Sequence, residues 1–272
     1  MNALITLPLV VAVIFVELAV GGVFLIWLLD RNGQAPTGFL RLTASVDLAA
    51  AGIAALLIPT LPTGEGARLA NLSPGPLAAF GQGLMVVTVL MALHLLTTII
   101  PSRGLRAIVG ILALVGGSGT LIAAAISRPV APDAAFDIFA LLALPVAALA
   151  LGGSSAAMLL GHWYLVTPKL STTPLQRAAL VVAAAVVLQL ALAGIAFARG
   201  DLQAQLQGPL VIAAGIRLGV GLLMSLGVAL AAWWTAKTNT QSSTGLLYVG
   251  IGTVIAGEIS ARVIFFLQGV AI

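Results

Sequence analysis

Residues 4–29 read LITLPLVVAVIFVELAVGGVFLIWLL, an apolar run broken by a single ionisable side chain, Glu17. A helix of this length crosses the ~30 Å hydrocarbon core of a bilayer. Seven more such runs follow, at roughly 40–60, 77–100, 105–127, 134–165, 176–198, 209–235 and 245–270. Backbone amides in lipid must be satisfied within their own segment, and the runs lack the alternation of a barrel strand, so each is predicted to be a helix. The fifth run is long and carries Pro145 and the pair Gly152-Gly153, which predicts a tilted or kinked helix. The fold expected is an all-α, polytopic bundle of about eight transmembrane helices, forming a single transmembrane domain over residues 1–272. The N-terminus lacks a basic leader and reads as the start of the first span.

Composition supports the same solvent. The chain of 272 residues is 61% hydrophobic and 7% charged, with a mean hydropathy of +1.17. A soluble domain carries about a quarter charged residues; here there are too few to cover a water-facing surface. The net charge of +4 fits basic membrane loops and does not call for nucleic acid. There is no cysteine, which excludes disulfides, thiolate-bound iron–sulfur clusters and cysteine zinc sites within this chain. The longest polar connection, PTGEGARLANLSPG at 62–75, is too short for a soluble domain.

Loop charges set the orientation. One side holds Arg31, Arg41, Arg103, Arg106, Lys169, Arg177 and Lys237; the other holds Arg68, Arg128 and Arg199, near Glu65, Asp133 and Asp201. The positive-inside rule places the first set in the cytoplasm and both termini outside, in the cell inner (plasma) membrane.

Within the spans stand Glu17, Asp47, His94, Asp137, His162, Arg217, Glu258 and Arg262. Each charge at depth costs on the order of 2.5–3.5 kcal/mol on insertion scales, so each is a candidate for function. Asp137 lies near its helix end and is expected at the interface. Glu258 and Arg262 are four residues apart with the acid first, the better order for a helical ion pair. Glu17, Arg217, Glu258 and Arg262 fall at compatible depths in the middle and outer half of the membrane, and their formal charges cancel. One shared polar cavity is the expectation, against a purely structural clasp.

The histidines coincide differently. His94 and His162 lie near the cytoplasmic ends of the third and fifth runs, at similar depth. As a pair on neighbouring helices they are candidate ligands of a b-type haem. Asp47 is a candidate partner for one of them in a proton relay. MLLGHWYLV, at 158–166, also reads as an interfacial aromatic belt. Small residues around Gly215, Gly219, Gly245, Gly250, Gly252 and Gly257 predict close helix packing. Phosphate loops and the HExxH and GxSxG motifs are missing.

FVELAVGG (15–22) in the first helix, GEISARVIFF (257–266) in the last, the eight spans and the outward termini together resemble the membrane-anchor subunits of dimethyl-sulfoxide-reductase-type enzymes, within the wider polysulfide-reductase-like (NrfD-like) family. The resemblance covers the whole chain in topology and these two stretches in motif. It implies a quinone- or quinol-reactive anchor of a respiratory oxidoreductase complex that exchanges electrons with a partner iron–sulfur subunit, itself joined to a molybdopterin subunit. The quinone would be menaquinone or ubiquinone. Glu17, Arg217, Glu258 and Arg262 would then hold the quinone head and move its protons. His94 and His162 match no position in the family pattern, which leaves a haem-b cytochrome subunit as an alternative. A small-solute or ion transporter and an assembly subunit are the others.

Overall fold

In the computed structural model the described residues are 2–31, 33, 35–130, 137–167, 170–200 and 208–272. Lys169, Asp133 and Asp201, used above for orientation, lie outside them, as does the start of the fifth run. Among the described residues, eight helices are long and apolar enough to cross a membrane. They are α1 (Asn2–Asp30), α2 (Thr37–Leu56), α4 (Pro74–Thr97), α5 (Arg103–Ile126), α6 (Ile138–Val166), α7 (Thr173–Ala198), α8 (Pro209–Thr235) and α9 (Thr240–Gln268). A short helix, α3 (Gly64–Leu69), occupies the connection between α2 and α4. The protein is an all-α multi-pass membrane bundle.

The helices form two rings of four. In the first, α1 packs on α2 and α5, and α4 closes the ring against both; in the second, α6 packs on α7 and α9, and α8 closes it. The rings meet mainly through α1 on α6. The side contacts also come in corresponding pairs, α1 with α9 and α5 with α6, then α1 with α7 and α2 with α6. Exchanging the halves thus leaves the packing pattern unchanged. Corresponding helices are four spans apart and run the same way, so the relating two-fold axis lies along the membrane normal, as in parallel-repeat transporters.

The axis passes where α1 and α6 touch. A Cβ at Gly21 would fall 1.8 Å from the Ala148 carbonyl oxygen, and one at Gly152 would fall 2.3 Å from that of Leu18. Only glycine permits this backbone approach, the small-residue solution typical of helices in lipid. α6 runs through Pro145 without a break. Buried residues make up 72%, 61% and 56% of the apolar stretches of α1, α6 and α9, against 28–39% in the other five, which makes these three the inner helices. The outer ones turn Met85, Leu112, Val115, Leu188 and Ile212 outward, the face that lipid covers.

Polar groups finish the helix ends. Asp137 lies at the end of its helix, as expected: its Oδ1 accepts from the Phe139 and Ala140 amides at the α6 N-terminus, 3.1 and 3.4 Å away, and pairs with Arg199 at 3.1 Å. Burial holds the Arg128 guanidinium below its usual pKa, with Asp137 opposing that shift. At the other end, Lys237 stacks on Trp233 at 4.0 Å and Arg31 on Trp27 at 4.8 Å. MLLGHWYLV divides its roles. His162 is exposed and its Nδ1 meets the Tyr248 hydroxyl on α9 at 3.0 Å. Trp163 lies over Gly38, where a Cβ would stand 2.1 Å from the indole. Tyr164 turns inward and donates to the Ser171 carbonyl.

Candidate functional site

Four of the buried charges come together. α9 presents Glu258 and Arg262 on one face, and Arg262 Nη2 donates to Glu258 Oε2 at 2.8 Å. Arg217, from α8, donates through Nη1 to Glu258 Oε1 at 2.9 Å and through Nε to the Ile272 carbonyl at 3.1 Å. α1 contributes Glu17, whose Oε1 stands 3.2 Å from Arg262 Nε. The four side chains are 0–2% exposed. The expected convergence of depth is therefore real in space, but the charges fill a closed cluster and pair with one another instead of facing an open chamber. Two positive and two negative charges cancel, and that neutrality makes burial tolerable, because a single unpaired charge at this depth would be far costlier.

Two features of the cluster were not read from the sequence. Gln189, on α7, donates through Nε2 to Glu258 Oε1 at 2.7 Å, so Glu258 accepts three hydrogen bonds. An amide has no charge to mark it in an apolar run. The second is a stretch of π-helix over Ile216–Met224 within α8; such segments recur at functional sites. There Gly221 meets Gly257: a Cβ on either would lie 2.3–2.4 Å from the other's Cα. This contact draws α8 onto α9 one turn from Arg217 and one residue from Glu258. Of the glycines singled out for packing, Gly215, Gly219, Gly245 and Gly252 meet nothing within 4 Å, whereas Gly257 does.

Glu17 is held differently from Glu258. Its approach to Arg262 is close enough for an ion pair, yet neither carboxylate oxygen has a hydrogen-bond partner. Further along α1, Asp47 of α2 packs its carboxylate against Gly22, where a Cβ would sit 2.0 Å from Oδ1, and its Oδ2 is also unpartnered. No histidine pairs with it among the described residues. His94, on α4, is 1% exposed, with both ring nitrogens unpartnered.

The two histidines do not flank a common space. α4 packs mainly on α2 and α5, whereas α6 packs mainly on α1, α7 and α9. His94 packs against Gly110, where a Cβ would stand 3.5 Å from its Nε2, and His162 engages Tyr248 in the other ring. The two imidazoles thus lie in different rings, and the expectation of neighbouring helices is corrected. Among the described residues, no group of three or more potential metal-ligating side chains comes together.

Comparison with family models, with curated proteins and with solved structures finds no match.

Proposed function

We propose that the chain is a quinone-reactive membrane-anchor subunit of a respiratory oxidoreductase complex in the inner membrane, passing electrons between the quinone pool and a partner iron–sulfur protein. One observation carries the reading. Glu17, Asp47 and His94 are buried titratable groups with polar atoms that make no hydrogen bond, and they succeed one another along the length of α1. Gly22, which touches Asp47, is about 7.5 Å beyond Glu17 at 1.5 Å per residue, and Trp27, beside His94, lies one to two turns further. A purely structural clasp needs its polar atoms satisfied. A series left unsatisfied along one helix suits groups that take up and release protons, and quinol oxidation releases two protons with its two electrons. Glu258, fixed by three donors, would act as the anchor of the series and Glu17 as its exchanging member. An apolar cavity of about 570 Å³ lined by Leu61, Leu77, Gln82 and Met85 is within the usual range of ligand pockets; none of the titratable groups lines it, which suits the quinone's tail.

A small-solute or ion transporter is the second reading, favoured by the parallel repeat of the two rings. Co-purification separates them. Mild solubilisation of the full chain should retain a stoichiometric iron–sulfur protein, and membranes bearing Glu17→Gln should lose most quinol-dependent electron transfer to it. A chain that purifies without a redox partner, or full turnover in that variant, removes the anchor reading and directs the work to transport assays.

A further inference from the structure

A second polar site lies at the opposite end of α1 from the residue 2 terminus. Between α1, α4 and α5 is a cavity of about 270 Å³ lined by Trp27, Asp30, Arg31, His94, Arg103 and Arg106. Its wall is built. Arg106 donates through Nε to Asp30 Oδ2 at 2.7 Å and through Nη1 to the Thr97 carbonyl at 3.3 Å, and both Arg106 and Asp30 are buried. Arg31 stacks on Trp27. Gly33 takes a φ of +62°, and a Cβ there would stand 2.4 Å from the Arg103 guanidinium. The turn after α1 thus needs glycine both for its backbone and for the arginine lying over it. At the floor is His94, buried and with neither ring nitrogen partnered.

The Asp30–Arg106 pair is neutral, which leaves Arg31 and Arg103 as two positive charges at the mouth. Any neutral imidazole carries one N–H, and His94 shares the cavity lining with the Arg31, Arg103 and Arg106 guanidiniums, which have only hydrogens to offer, and with the Asp30 carboxylate, which Arg106 already engages. The missing complement is an acceptor-rich anion. A tetrahedral phosphate oxyanion has the charge and the fork-shaped acceptor pattern that guanidinium groups match. The position, at the end of three spans, is that of basic interhelical pockets that take phospholipid headgroups.

We propose that this cavity is a phosphate-binding site, filled by the headgroup of an anionic phospholipid, with Arg31, Arg103 and His94 as its ligands. Native mass spectrometry of the detergent-solubilised full chain tests it. Wild type should retain phosphatidylglycerol and not phosphatidylcholine. The double variant R31Q/R103Q and the single variant H94L should each retain at least fivefold less, while R41Q, which removes an exposed arginine from the same face outside the cavity, should match wild type. In delipidated protein, inorganic phosphate is the second probe. A thermal shift with phosphate that the double variant abolishes, without lipid retention, keeps the site and assigns it to the free anion. Wild-type retention in the double variant or in H94L overturns the proposal, as does equal loss in R41Q, which would indicate diffuse surface attraction.

Discussion

At the scale of single residues, the two glutamates of the cluster make different demands on their surroundings. Glu258 receives hydrogen bonds from Gln189, Arg217 and Arg262, whereas Glu17 receives none. Hydrogen bonds to a charged group contribute about 1.5–3 kcal/mol each, so Glu258→Gln is expected to lower thermal stability in detergent more than Glu17→Gln. Arg262→Leu is expected to be worse than either. It strands Glu17, takes one of three donors from Glu258 and leaves the cluster with an uncompensated negative charge, and breaking a buried pair costs roughly 3–5 kcal/mol. Thermal unfolding of the three variants checks the order; a Glu17→Gln protein as unstable as Glu258→Gln would mean that the two acids are equivalent. The pairing of Glu258 with Arg262 was legible because helical spacing is local. Gln189 was not, since an uncharged amide leaves no mark on hydropathy. The histidine pair misled for the opposite reason: equal depth is readable from sequence, but lateral neighbourhood depends on how the rings close.

At the scale of elements, the helix ends differ from the apolar runs in a consistent way. The runs begin where apolarity begins, at 105 and 245, but α5 and α9 start earlier, at Arg103 and Thr240. Their N-caps are polar: Ser102 accepts from the Leu105 amide, and Asn239 accepts from the Ser242 amide. Hydropathy cannot see a first turn built from capping residues. Packing between elements was legible only as a supply of small residues, not as which of them touch. The Gly221–Gly257 contact sets how near α8 comes to α9, and hence whether Arg217 reaches Glu258. Gly257→Ala or Gly221→Ala is therefore expected to push the helices apart and to destabilise the cluster. Gly219→Ala and Gly252→Ala meet open space and are expected to be neutral, or stabilising by up to about 1 kcal/mol through helix propensity. Melting curves of the four variants decide it. Equal behaviour would mean that the close contact does not position the arginine.

At the scale of the whole molecule, the repeat is not legible in the sequence because packing preserves it while chemistry does not. Gly83 on α4 faces Thr120 on α5 much as Gly221 on α8 faces Gly257 on α9. The residues that follow are Leu121 and Ala125 in the first ring, against Glu258 and Arg262 in the second. At these corresponding positions the first ring is apolar and the second carries charges, with Glu17 reaching across from α1. A two-fold axis along the membrane normal requires corresponding loops to share a membrane face; an axis in the membrane plane would place them on opposite faces. The chain has no cysteine, so single cysteines can be introduced without a background. Glu65→Cys, before α4, and Arg199→Cys, before α8, occupy corresponding connections and are both exposed. Arg41→Cys and Ser242→Cys, also exposed, belong to the opposite face. A membrane-impermeant maleimide added to intact cells is expected to label the first pair, and the second pair only after the membrane is opened. Labelling of Glu65→Cys and Arg199→Cys from opposite sides would refute the parallel repeat. Exchange of the two pairs would keep it and reverse the orientation, placing the arginine-lined cavity outside the cell.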